Sequence, residues 1–202
     1  MRSRKAPPSL GRRFAGRRAV VRGGFWSPLL VVGFLVALTP EARAADADKK
    51  LRCPAGARKR SGKNHLGEVA WCVRGHVKHG PYKVWSESGK PFVLFNYRRG
   101  VLNGRFRCWY KWGGSSVRGS YREGMLHGPF QLWHNSGTMA ERGQYKNGQR
   151  SGSWTFYWLH GKRDEQGSFV EGERHGRWKR WDKKGKPEPD VCFDRGREVA
   201  CK

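Results

Sequence analysis

Tyr97-Arg98-Arg99-Gly100-Val101-Leu102-Asn103-Gly104-Arg105-Phe106 is followed, 24 residues on, by Tyr121-Arg122-Glu123-Gly124-Met125-Leu126-His127-Gly128-Pro129-Phe130. The phrase returns from Tyr145 to Trp154, with Ser151 before the glycine, and from Phe169 to Trp178, with His175 before Gly176. Around these phrases glycines recur at Gly80, Gly104, Gly128, Gly152 and Gly176. A second set stands nine residues later, at Gly89, Gly113, Gly137, Gly161 and Gly185. A third stands twenty later, at Gly100, Gly124, Gly148, Gly172 and Gly196. Fifteen of the 28 glycines therefore sit on three phases of one 24-residue period, which is the mark of a repeat architecture, and all three sets read as repeat turn glycines.

The aromatics keep the same clock. Two residues after the first glycine come Tyr82, Phe106, Phe130, Trp154 and Trp178, and seventeen after it Tyr97, Tyr121, Tyr145, Phe169 and Phe193. Between the first aromatic and the next lie Val84, Cys108, Leu132, Phe156 and Arg180. Residues two apart share one face of a strand, so each repeat reads as a strand of about five residues starting at the first glycine. The glycine nine residues on permits a tight turn. A second strand, with Val93, Phe95 and Tyr97 on one face, runs to the aromatic seventeen on, and the third glycine turns the chain into the next repeat. No stretch keeps helical periodicity, and glycine arrives too often for a helix. One hairpin cannot bury its own aromatics, but stacked neighbours can.

The fold class expected is all-β: an elongated antiparallel single-layer meander of five hairpin repeats. Their ranges are 80–103, 104–127, 128–151, 152–175 and 176–199, with a cap segment over 45–79 and a C-terminal capping hairpin to 202. The phrase resembles the MORN repeat (membrane occupation and recognition nexus), and more narrowly its bacterial variant Y-x-x-G-x-x-x-G-x-[FWY]. The resemblance covers about residues 76–197. It implies a curved one-layer sheet that binds proteins or lipids, and bacterial members are often labelled antitoxins.

Residues 1–44 read as a secretory signal peptide. Arg2, Arg4, Lys5, Arg12, Arg13, Arg17, Arg18 and Arg22 precede an apolar run from Phe25 to Leu38, and Ala42-Arg43-Ala44 offers a cleavage site. The rival, an uncleaved anchor, suits a run this short and broken poorly, since a span takes about 20 residues. Arg12-Arg13 reads as incidental to an Arg-rich segment. The expected location is periplasmic, cell-surface or secreted. The remaining 158 residues carry 33 Lys and Arg against 15 Asp and Glu, a net of +18. Such a field favours polyanionic partners: anionic lipid headgroups, acidic envelope polymers or acidic proteins, with export arguing against nucleic acid. The plainer reading is that the charge keeps an edge-exposing sheet soluble.

An oxidising compartment makes disulfides expected for Cys53 with Cys72, capping the first edge, and for Cys192 with Cys201, as cross-strand partners in a last hairpin. Cys108 shares the phase of Val84 and Leu132 and reads as a small buried hydrophobe. His79, His127 and His175 lie two repeats apart, roughly 19 Å, too far for one metal ion. They read as turn histidines donating to backbone groups. Glu123, Glu171 and Asp194 sit near turns, and no P-loop, G-x-S-x-G or H-E-x-x-H occurs, so no catalytic site, cofactor, metal or small-molecule substrate is expected.

The candidate binding row is Trp85, Trp109, Trp133, Tyr157 and Trp181, five residues after each first glycine and out of phase with the Tyr82–Val84 face. Lys83, Arg107 and Lys179 share its side, and further cations (Arg98, Arg99, Arg105, Arg122, Lys146, Arg177) lie at turns. Aromatics beside Arg and Lys can hold polyanions, stack on sugars or dock a peptide. The competing reading makes the row the sheet's own packing, and in a one-layer sheet both can hold. The function expected is an exported non-catalytic scaffold that docks a protein or anionic surface. The alternatives are an antitoxin-like neutraliser of a toxin or effector, and then an enzyme of unknown type.

Overall fold

The computed structural model describes residues 51–202, so the signal-peptide reading and the lead Ala45–Lys50 lie outside the described residues. Fifteen strands form one open sheet. They are β1 (Arg58–Asn64), β2 (Gly67–Arg74), β3 (Val77–Trp85), β4 (Pro91–Arg98), β5 (Val101–Leu102), β6 (Gly104–Trp109), β7 (Ser115–Arg122) and β8 (Met125–Leu126). Next come β9 (Gly128–Trp133), β10 (Met139–Lys146), β11 (Gln149–Tyr157), β12 (Arg163–Val170), β13 (Glu173–Trp181), β14 (Pro187–Asp194) and β15 (Arg197–Val199). Every pairing is antiparallel and follows chain order, with β5 and β8 pairing back on β4 and β7. No helix among the described residues is long and apolar enough to cross a membrane.

Two turn types alternate. Within a repeat, Gly89 N donates to Ser86 O at 2.8 Å and Ser86 N to Lys90 O at 2.8 Å, and the pattern recurs at Tyr110, His134, Trp158 and Asp182. This is a three-residue loop whose left-handed last residue is glycine. Between repeats the loop has two residues, both left-handed: Arg99 (φ 50°) with Gly100 (φ 84°), then Glu123-Gly124, Asn147-Gly148, Glu171-Gly172 and Arg195-Gly196. Such a turn matches the right-handed twist of the strands, and its first position suits Asn far better than Glu or Arg.

The first glycine set needs correcting. Gly80, Gly152 and Gly176 lie inside β3, β11 and β13, and Gly104 and Gly128 open β6 and β9 just after β5 and β8. They are not turn residues. Their φ runs from +66° at Gly152 to +103° at Gly80, and pairing beside Gly152 jumps from Arg142↔Thr155 to Gln144↔Ser151. The set marks a bulge in a strand that begins three residues earlier, where the chain adds residues without leaving the ladder.

The core lies on one face, here called the aromatic face. Tyr145, Trp154, Phe169, Trp178 and Phe193 follow one another edge to face, at centroid separations of 5.2, 5.9, 5.1 and 6.0 Å. Trp154 and Trp178 are fully buried although the sheet has one layer. A fourth glycine series explains it. Gly119, Gly143 and Gly167 lie 24 residues apart, and a Cβ at Gly143 or Gly167 would stand 2.2 Å from the indole of Trp154 or Trp178. The missing side chain lets the ring lie on the backbone. From above, the Arg150 guanidinium covers Trp154 at 4.5 Å and the Arg174 guanidinium covers Trp178 at 4.2 Å. Arg150 is tethered to Glu141 at 2.8 Å and Arg174 to Glu165. Hiding each indole contributes on the order of 4 kcal/mol before entropy is counted.

Within the N-terminal cap segment β1 and β2 form a further hairpin that extends the sheet. Cys53 and Cys72 are bonded, Cα–Cα 5.5 Å, and hold Leu51, Cys53 and Ala57 against Ala70 and Trp85. Cys192 and Cys201 are bonded, Cα–Cα 5.2 Å. Cys192 faces Val199 across the ladder, so Cys201 belongs to the tail beyond β15 and is not its cross-strand partner. Cys108 is free.

Gly143→Ala is expected to lower stability by about 2 kcal/mol, because the added methyl overpacks against Trp154. Gly62→Ala, whose Cβ would meet nothing nearer than 4.0 Å, should leave the urea midpoint nearly unchanged. Glu171→Asn should raise stability by about 0.5–1 kcal/mol by relieving the left-handed residue. Thiol counting on the denatured, unreduced protein should find one reactive thiol, at Cys108, and peptide mapping should find the 53–72 and 192–201 bridges.

Candidate functional site

The pleat sends alternate residues to a second face. Register places one continuous line across it: Lys83 opposite Leu94, Leu94 opposite Arg107, Arg107 opposite Arg118, and Arg118 opposite Gln131. The line continues through Arg142, Thr155 and Gln166 to Lys179. Lys83, Arg107 and Lys179, singled out in the sequence, thus join one row. Arg118 and Arg142, which complete it, were missed. Their signal was available, since they stand 24 residues apart on the second strand of their repeats.

The aromatic row borders this line. Trp85 departs from its expected role: it is only 5% exposed, sealed beneath the disulfide-held N-terminal segment. Trp109, Trp133, Tyr157 and Trp181 are half-buried. Cations lie over most of the rings, Arg118 over Trp133 at 5.2 Å, Arg142 over Tyr157 at 5.8 Å and Arg163 over Trp181 at 4.7 Å. In the fourth repeat Gln166 replaces the strand arginine, and Arg163 bonds its Oε1 at 3.4 Å while reaching the ring. The row therefore packs and presents charge at once: Trp133, Tyr157 and Trp181 are platforms on which a guanidinium is held. The backbone of the row is held from the corner of the preceding repeat. Tyr110 OH donates to Trp133 O, Trp158 Nε1 donates to Trp181 O at 3.0 Å, and His134 Nε2 meets Tyr157 O at 3.0 Å.

Ion pairs lie on both faces, the second holding Arg177 with Asp190 at 3.4 Å near the C-terminal end. On the aromatic face Arg150 meets Glu141, Arg174 meets Glu165, and Arg180 meets Glu188 at 3.3 Å. Among the described residues no carboxylate forms an ion pair with Arg107, Arg118, Arg142 or Lys179. Depressions of about 390 Å³ mark this face twice, one beside Gln131, Arg142, Gln144, Ser153, Thr155 and Gln166, the other beside Lys59, Lys63 and Trp85.

The other reactive types stand apart from the line. His79 Nδ1 accepts from Arg99 N at 3.4 Å and His127 Nδ1 from Asn147 N at 3.5 Å. Both accept, where donation was expected, and they are not in turns: His79 lies within β3 and His127 between β8 and β9, each bracing the next inter-repeat turn. His175 lies 3.8 Å from Asp194. Among the described residues no group of three or more His, Cys, Asp and Glu is placed to hold a metal. Burial pushes the Cys108 thiol above its ordinary pKa, away from the thiolate a nucleophile needs.

A family model described as the MORN repeat variant matches residues 78–99 and 126–147. No curated protein matches the chain in sequence. Among solved structures, the glycosylation-associated protein complex from Streptococcus agalactiae is 13% identical, covers 68% of this chain and 21% of its own, and gives a TM-score of 0.30. A GtfA/B complex bound to UDP and GlcNAc is 16% identical, covers 76% of this chain and 26% of its own, and gives a TM-score of 0.22. The chain thus spans about a quarter or less of those chains, and at such scores neither likeness informs fold or function. The matched segments lie two periods apart in one phase, so this chain carries MORN-variant repeats, at residues 78–99 and 126–147.

Proposed function

We propose that the protein is an exported, non-catalytic binding scaffold that docks an anionic partner, a protein or an envelope surface, through the cationic line of its second face. MORN repeats suggest a repeat-based binding scaffold, and the family is generally non-catalytic. The basic, apolar and A-x-A order of residues 1–44 supports export. The two disulfides are compatible with an oxidising compartment.

One observation carries the docking reading. Arg107 stands directly opposite Arg118 on neighbouring strands. Like charges in that position destabilise a sheet. On the aromatic face Arg150 and Arg174 are each given a carboxylate, Glu141 and Glu165. On the second face the repulsion is left standing, at a cost that an arriving anion would remove. Local rules broken without compensation are where function is to be sought.

The test is retention of the full-length protein on a sulfonate resin under a salt gradient. Arg118→Gln with Arg142→Gln should elute at clearly lower salt than Arg98→Gln with Arg122→Gln, which removes the same charge from inter-repeat turns. Equal elution of the two would show that net charge alone binds and that the face is no site.

A further inference from the structure

The line has a length, a spacing and two ends, and these say what kind of anion fits it. We infer that the occupant is a linear acidic polysaccharide lying across the repeats, an inference that rests on the docking reading above. Each repeat contributes two strands, so equivalent positions recur about every 9.6 Å along the line. Two residues of an extended glycan chain cover a comparable length. Acidic sugars would then meet Arg107 and Arg118 in the second repeat, Arg142 in the third and Lys179 in the fifth, with the sugars between them over the polar residues, Thr155 and Gln166 of the fourth repeat included.

The side chains between the cations favour sugars over other polyanions. Gln131, Thr155 and Gln166 stand in the line itself. Ser120, Gln144 and Ser168 lie beside it on the same face. Amides and hydroxyls both donate and accept. A bare polyphosphate or an acyl phosphate surface offers few donors for their oxygens, whereas sugar hydroxyls offer both. An extended acidic peptide would seek unpaired backbone groups at a sheet edge, and a sheet face has none. Trp109 adds a third element. Its neighbour in the line is Leu94 where the second and third repeats carry Arg118 and Arg142, and among the described residues no cation lies over its ring. That indole is the one in the row able to stack on the apolar side of a sugar ring.

The ends argue against a flat membrane. Cys72 and Cys192 occupy the same position of the repeat, five periods apart, and each carries a disulfide. At one end residues 51–57 cover Ala70 and Trp85 on this face. At the other the tail crosses it, where Arg177 donates to Lys202 O at 3.0 Å. Both segments stand above the face, so a bilayer plane would rest on them and miss the line between. A slender chain can lie there. From Trp109 to Trp181 there are three spacings, about 29 Å, or room for about six to eight sugars.

Titration calorimetry of the full-length, disulfide-intact protein with size-graded oligogalacturonates tests this. Polyglutamate of equal charge, phosphatidylglycerol vesicles and methyl-esterified oligomers are run beside them, and circular dichroism checks that each variant folds. Affinity for the acidic oligomers should rise with length and level off at about six to eight sugars. Arg118→Gln with Arg142→Gln should weaken it about tenfold or more, as loss of charge-assisted hydrogen bonds does, while Arg98→Gln with Arg122→Gln stays within about twofold. Trp109→Ala should weaken the oligomers and leave polyglutamate unaffected. Binding of polyglutamate or vesicles as tight as that of the oligomers, or affinity that never levels with length, overturns the glycan and leaves the docking face standing. Equal binding of the esterified oligomers overturns the acidic requirement. Failure of every anion to bind overturns both readings.

Discussion

A tryptophan laid flat on a glycine, under an arginine, is the contact on which this sheet depends. A single layer has no second sheet or helix to cover its apolar face. Trp154 and Trp178 solve this within the layer. Each indole fills the space of a side chain that Gly143 or Gly167 lacks, and each is closed from above by Arg150 or Arg174. The carboxylates of Glu141 and Glu165 hold the arginines in place. The pair sits where its partner ring removes it from water on one side, so it acts as a lid with a hinge more than as a surface salt bridge, which alone would contribute little. In the earlier repeats Leu102 and Leu126 stand in the arginine's position, and Phe106 rests over Gly119 in the same manner.

Committing one face to burial determines what the other can be. The pleat leaves the second face without an aromatic core of its own. It is free to carry charge, and from Arg107 to Arg142 what it carries is cationic, an acid entering the same phase only at Asp190 near the C-terminal end. The rings on this side are not wasted as packing. Trp133 and Tyr157 hold Arg118 and Arg142 in position through the ring face. A side chain held this way loses less freedom on binding than one that swings in water.

The ends follow the same logic. An open sheet exposes two edges that invite further strands. Here β1 ends the sheet on one side with seven exposed residues, among them Arg58, Lys59, Arg60 and Lys63. Its charge discourages pairing with another copy. The two disulfides act on the face more than on the edges, fastening the terminal segments at equivalent positions of the repeat and setting the length of face left between them.

Much of this was determined by the sequence alone, because it depends on local geometry repeated at fixed spacing. The glycines nine and twenty residues into each repeat require turns whatever surrounds them, and the aromatic phases require one apolar face. Gly80, Gly152 and Gly176 misled, since glycine permits a left-handed bulge within a strand as readily as a turn between strands, and only cross-strand pairing tells them apart. The role of Gly143 was hidden for a similar reason: its meaning lies in Trp154, which comes from the next strand. The cationic line needed tertiary structure most. Lys83, Arg107 and Lys179 could be named from their phase, but Arg118 and Arg142 join them through register, and Trp85 leaves the row through a disulfide from Cys53. Period is written along the chain, whereas register and covering depend on which strands meet, and that is decided when the sheet assembles.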